Sequence, residues 1–278
     1  MNAKNRDRRV PVFLKVFFFW TAVSIFFSIP SFAFDHSKWD LFLKQYVNEK
    51  GEVDYPAIVK DRTLLDAYGK DLQSISDEMG LGKEWPREER LALWLNAFHF
   101  GLIHAVVDHY PIKSVQDIPG VWEDSFTQVG GHTYSLNTIR NDKLISQFHD
   151  EKIHMALSCA AQSCPKMRRE AFTPERVDGQ LFLAAREFVN DPDMNWIKPG
   201  EKKIQISKML EWYAKDFKLN FGVMDNDRGL SLTQYAVLSF LSYYLESAEK
   251  KEFLEQGNYK IKYLPFNWAL NEWHPVKS

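Results

Sequence analysis

Two cysteines in 278 residues are too few for a disulfide framework, so a fold of this size must be held together by its core. Charge of one sign is also lacking. Lys and Arg number 35 against 37 Asp and Glu, a formal net charge of -2, which offers no field to gather nucleic acid or an anionic membrane surface. Internal repeats, low-complexity linkers and composition breaks are absent. The sequence contains no Gly-x-Ser-x-Gly elbow, no His-Glu-x-x-His pair, no phosphate-binding glycine-rich loop and no Cys-x-x-Cys pair. Serine hydrolase, zincin and nucleotide-binding chemistries thereby lose most of their support, and no cofactor is expected. What the chain does have is 45% hydrophobic and 15% aromatic residues, enough to bury a full core and to exclude disorder.

The near-neutral balance hides a cationic opening. Lys4, Arg6, Arg8, Arg9 and Lys15 face Asp7 alone, and they run into an apolar stretch from Val16 to Ile29, then Pro30 and Ser31-Phe32-Ala33. A charged start, an apolar middle and a small-x-small site are the three parts of a secretory signal, with cleavage expected after Ala33. The alternative is an uncleaved anchor over Val10 to Phe34. No cysteine lies near the cleavage site, which excludes a lipoprotein. Residues 34–278 are then expected to form a single periplasmic or secreted domain, touching a membrane only through the N-terminal segment if that stays attached.

Periodicity predicts the elements. Trp39, Phe42, Leu43 and Tyr46 recur at helical spacing, as do Leu64, Leu65, Tyr68, Leu72 and Ile75. Trp85-Pro86-Arg87-Glu88-Glu89 opens the longest helix, expected at about 86–109. Around Gly130-Gly131 the period changes to two, which predicts a β-hairpin. Lys152 to Ser158 is short and apolar and reads as a buried strand delivering Cys159 at its end. A helix is expected from Thr173-Pro174, another after Ser207 as far as Phe217, and a third from the capping box Ser231-Leu232-Thr233-Gln234 to about Ser247. Strands are expected at Lys203 to Ile206 and Tyr259 to Tyr263. The fold class is α+β: a single helix-rich domain around a small mixed or antiparallel sheet, with a thiol-peptidase-like arrangement among the candidates.

Candidate chemistry concentrates between His154 and Cys164. Pro165 after Cys164 predicts a helix start there, and Lys166, Arg168 and Arg169 follow. That setting lowers a thiol's pKa, so Cys164 is expected to be the reactive thiol and Cys159 the buried one. A thiol within reach of a histidine is the minimum apparatus for attack on an acyl carbon. The competing reading is a Cys159–Cys164 disulfide closing a short loop. A metal site of His154, Cys159 and Cys164 matches no common zinc spacing, and none is expected. On the long helix, Asn96 and His99 are neighbours on one face, beside the stripe Leu91, Leu95, Phe98 and Leu102, and are expected to border the cysteine loop. His104 and Asp108 read as a solvated ion pair.

Trp94-Leu95-Asn96-Ala97-Phe98, Lys113 to Ile118, His154 to Cys159 and Ser163-Cys164-Pro165 occur in one order, and in this the sequence resembles the domain-of-unknown-function 547 (DUF547) family. The resemblance runs from Gly51-Glu52-Val53-Asp54-Tyr55 to Trp268-Ala269-Leu270-Asn271. It implies that His154, Cys159 and Cys164 belong to a shared pattern. The chain departs from that pattern at Phe98-His99, where the family reads Tyr-Asn, and at Asn267, where it reads Asp before Trp. If a carboxylate orients the site histidine in the family, Asn267 accepts a hydrogen bond without supplying charge.

The expected activity is a thiol-dependent hydrolysis or acyl transfer on an unidentified small-molecule or peptide substrate. Cys164 (or Cys159) would be the nucleophile, His154 (or His99) the base, and Asn96 an orienting or oxyanion-stabilising amide. The alternative is a non-enzymatic exported binding or scaffold domain with the two cysteines bonded.

Overall fold

The computed structural model describes residues 34–75, 85–222 and 230–273. The charged and apolar N-terminal stretch, and the expected cleavage site after Ala33, lie outside the described residues. The described residues form one compact unit. Its opening helices are α1 (Ser37–Tyr46), α2 (Tyr55–Lys60) and α3 (Thr63–Gln73), which lead to α4 (Arg87–His109). By length and composition α4 could cross a membrane. It is instead the buried spine of the unit, with Leu91, Leu95 and Leu102 fully enclosed.

The hairpin of β1 (Ser125–Val129) and β2 (His132–Ser135) forms as the sequence predicts. Gly130 and Gly131 have φ of 57° and 76°, the positive pair that a tight two-residue turn requires. The hairpin presses against α4 at Gly101, where any Cβ would collide with the Thr127 side chain.

After the hairpin come α5 (Leu136–Thr138), a π-helical stretch at Ile139–Ile145, α6 (Ser146–Phe148) and α7 (Lys152–Ala156). The expected strand at Lys152 to Ser158 is therefore one turn of helix, extended only from Leu157. A short apolar run has no period that separates strand from helix. The Asp150 carboxylate decides for helix by accepting from the Lys152 N–H at 3.0 Å, and Ile153, His154, Met155 and Ala156 are all buried, so no alternating face exists.

Helix α8 (Val177–Asn190) starts later than Thr173-Pro174 predicts. The chain before it is pinned: the Gln180 side chain accepts from Thr173 N–H and donates to the Ala171 carbonyl. The helix expected from Ser207 to Phe217 breaks into α9 (Met209–Trp212), a turn, and α10 (Lys218–Phe221). α11 (Leu232–Tyr244) carries the Ser231/Gln234 capping box as predicted, and α12 (Ala248–Gln256) follows. Strands β3 (Asn195–Trp196), β4 (Lys203–Ile206) and β5 (Lys260–Tyr263) make a small mixed sheet, β3 antiparallel and β5 parallel to β4. The two-residue β3 is too short to have a readable period. The architecture is α+β and helix-rich, with two small sheets.

One buried cluster surrounds α4; the other packs α8 and α11 against the mixed sheet.

Candidate active site

The end of α7, the turn after α9 and the π-helical stretch meet around a cavity of about 320 Å³. Phe98, Trp122, Trp212, Tyr213 and Trp268 give it aromatic walls, and His154, Cys159 and Arg140 also line it. A concave, mostly apolar site with a few polar groups is where a small ligand binds.

His154 is 2% exposed. Its Nε2 lies 2.8 Å from Asp216 Oδ2, and its ring is stacked on Tyr213. Burial pushes its pKa below the ordinary value of 6.5, although the Asp216 hydrogen bond and charge act in the other direction. Asp216 is held below its usual range, chiefly by that same hydrogen bond. A carboxylate only accepts, so the neutral imidazole carries its proton on Nε2. Its Nδ1 is then a lone pair, buried and without a hydrogen-bond partner among the described residues. A buried acceptor left unpaired costs on the order of 1–3 kcal/mol, and a base without a proton to take is chemically poised.

Cys159 and Cys164 are joined in a disulfide, their Cα atoms 5.6 Å apart. Their settings reverse the expectation. Cys159 is half-buried and lines the cavity with His154. Cys164 is 3% exposed and borders a separate groove of about 700 Å³. No helix follows Pro165, so no helix dipole faces the Cys164 sulfur. The cations beyond it are engaged by carboxylates: Lys166 by Asp191 at 2.8 Å, Arg168 by Glu170 at 3.1 Å, and Arg169 by Glu49.

Asn96 and His99 lie behind the cavity rather than in its wall. The Asn96 amide is engaged twice by Phe172, donating to its carbonyl at 2.8 Å and accepting its N–H at 3.0 Å, which ties it to the backbone of that residue rather than to the cavity. His99 Nε2 accepts the Ser158 N–H at 3.1 Å, and burial lowers its pKa to about 4. That lone pair is in use, and His99 fixes the residue before Cys159. His104 does pair with Asp108, at 3.1 Å, and Arg62 joins them.

The cysteine loop is braced by the closing segment. Gln162 N–H donates to the Ala269 carbonyl at 2.8 Å, Asn271 N–H to the Ala160 carbonyl at 3.1 Å, and Ser163 N–H to the Asn267 carbonyl at 3.2 Å. Asn267 N–H in turn donates to Ser163 Oγ at 2.9 Å. The role considered for the Asn267 side chain, orienting the histidine, falls to Asp216. Nothing in the local pattern around Lys215-Asp216-Phe217 signals this, because the pair spans 62 residues of sequence.

Arg140, also missed from sequence, projects from the π-helical stretch, a geometry often found at functional sites. Its Nη1 donates to Tyr213 OH at 3.1 Å, Nη2 to Asn137 Oδ1 at 2.8 Å and Nε to Asn141 Oδ1 at 3.1 Å. Among the described residues no group of three or more His, Cys, Asp or Glu side chains is placed to hold a metal ion.

Residues 82–189 match the family model described as "Protein of unknown function, DUF547". The match takes in Asn96, His99, His154, Cys159 and Cys164 and stops short of Asp216 and the closing segment. No curated protein and no solved structure matches the chain.

Proposed function

We propose that this chain, with its DUF547 match over residues 82–189, is an exported thiol-dependent hydrolase or acyl transferase whose nucleophile is Cys159, masked in the disulfide form. The observation that carries the reading is the buried, unpaired Nδ1 of a His154 whose Nε2 is tied to Asp216, in the wall that Cys159 also lines. A dithiol reductant first transfers two electrons to the disulfide, giving two thiols and an oxidised reductant. His154 Nδ1 then takes the Cys159 thiol proton, and the thiolate attacks the acyl carbon. The bond to the leaving group breaks, His154 returns the proton to that group, and an acyl thioester remains. Water or an acceptor nucleophile releases the acyl group and restores the thiol. Asp216 keeps the imidazole in the required tautomer and stabilises its protonated form.

The disulfide itself favours a second reading, a non-enzymatic exported domain in which Cys159–Cys164 is a staple and His154–Asp216 a structural polar pair. Alkylation with iodoacetamide separates the two. Under the enzyme reading, Cys159 in the Cys164→Ser variant reacts without reductant and faster at pH 7 than a cysteine in an unstructured peptide, and His154→Gln removes that excess. A Cys159 no faster than the peptide, or an excess that survives His154→Gln, leaves the staple.

A further inference from the structure

Arg140 has only neutral side-chain partners, as does Arg90, which meets Gln147 outside the cavity lining. Asn137, Asn141 and the Tyr213 hydroxyl accept from Arg140, whereas Arg62, Arg87, Arg168, Arg169, Arg176 and Arg186 each meet a carboxylate. A guanidinium has five N–H groups. The three bonds use one on each nitrogen, so among the described residues Nη1 and Nη2 each keep a hydrogen with no acceptor. The planar group is held in place by its three acceptors and by the face of Tyr213, 5.7 Å from its Cζ. Two spare donors on the two Nη atoms of a fixed planar guanidinium suit the two oxygens of a carboxylate, a bidentate pairing that an ammonium cannot reproduce.

Two carboxylates bear on the sign of the site. Glu123 also lines the cavity, but it is exposed and is bonded to the Asn137 amide at 3.2 Å, so water screens its charge. Asp216 is committed to His154 at 2.8 Å. Neither has an oxygen on the guanidinium.

We infer that the cavity takes a small substrate bearing a carboxylate, with Arg140 holding the carboxylate and the faces of Trp122, Trp212 and Trp268 covering an apolar or aromatic body. The volume of about 320 Å³ is at the small end of ligand sites, which fits one short carboxylic acid derivative rather than a long chain. Trp212, 45% exposed and stacked beside Trp268 at 5.9 Å, forms the open rim over which such a body enters. The inference deepens the proposed function by naming the substrate class of the same cavity. It is read from binding alone, in the disulfide form, so it can stand or fall separately from thiol reactivity.

The test is a titration of the full oxidised chain with 3-phenylpropanoate, 3-phenylpropanamide and 3-phenylpropan-1-amine, followed by tryptophan fluorescence and calorimetry. The carboxylate is expected to bind about tenfold or more tightly than the amide, and the amine more weakly than both. Arg140→Gln is expected to bring carboxylate and amide to equal affinity. Equal binding of acid and amide by the unaltered chain, preference for the amine, or no measurable binding of the acid overturns the inference, and none of these depends on whether a variant folds. Acid-selective binding in a protein whose Cys159 shows no enhanced reactivity would sink the acyl-transfer reading and leave the carboxylate site.

Discussion

The imidazole of His154 lies flat on the phenol ring of Tyr213, with centroids 4.0 Å apart and planes 9° from parallel. Arg140 binds the Tyr213 hydroxyl at 3.1 Å, so the π-helical stretch, the turn after α9 and the end of α7 are tied at one point. The stack fixes the plane of the imidazole, and Asp216 fixes its rotation within that plane.

Asp216→Asn should therefore keep the stack and lose the tautomer control. The iodoacetamide rate of Cys159 in a Cys164→Ser background is expected to drop by about tenfold or more at pH 7. The acid limb of the rate profile should also move. In the unaltered chain it is expected below the ordinary histidine value of 6.5, because burial favours the neutral ring. Asp216 raises the histidine pKa from that lowered value, so its removal shifts the limb to still lower pH. An unchanged limb would show that Asp216 does not act on His154.

Asn96→Ala should be costly without any effect on chemistry at the cavity. Both bonds it makes are to the backbone of the buried Phe172, and its loss strands an N–H and a carbonyl in the core. Urea denaturation is expected to show a loss of about 2–5 kcal/mol.

Acid should weaken the fold through its buried neutral histidines. His36 and His99 both have pKa values lowered to about 4 by burial. Between about 4 and 6.5 the unfolded chain binds more protons than the folded one, so stability rises with pH across that window and is lost as pH falls through it. Each full shift corresponds to roughly 3 kcal/mol. His99→Gln retains an acceptor for Ser158 N–H and cannot titrate, so its stability curve over the same window should be flatter.

The exported protein should begin at Phe34. Mass analysis of the secreted or periplasmic fraction is the check, and a folded domain that retains Met1 would replace the signal reading with an anchor.

Much of the fold was legible because long amphipathic periods dominate it: α1, α3, α4 and α11 fall where Trp39, Leu65, Leu95 and the Ser231 box place them. Short elements were not. Lys152 to Ala156 has no room for a period, and its helical state follows from Asp150 reaching one backbone N–H. In the site, His154 and the cysteines were legible as polar residues in an apolar run, but Asp216, Arg140, Trp122 and Trp212 enter through tertiary contacts that leave no spacing in the sequence. The burial of the two cysteines is the reverse of what the sequence suggested, and Pro165 does not start the helix expected there. The chain instead continues irregularly there, with Lys166 drawn to Asp191.

The brace supplied by residues 267–271 imposes an order of events on synthesis. His154 and both cysteines are made long before Trp268, which walls the cavity, and before Asn267, Ala269 and Asn271, which tie down the loop between the sulfurs. A chain emerging N-terminus first holds His154 and the two cysteines without their frame. In that interval the loop between the cysteines lacks the backbone bonds that Asn267, Ala269 and Asn271 later supply.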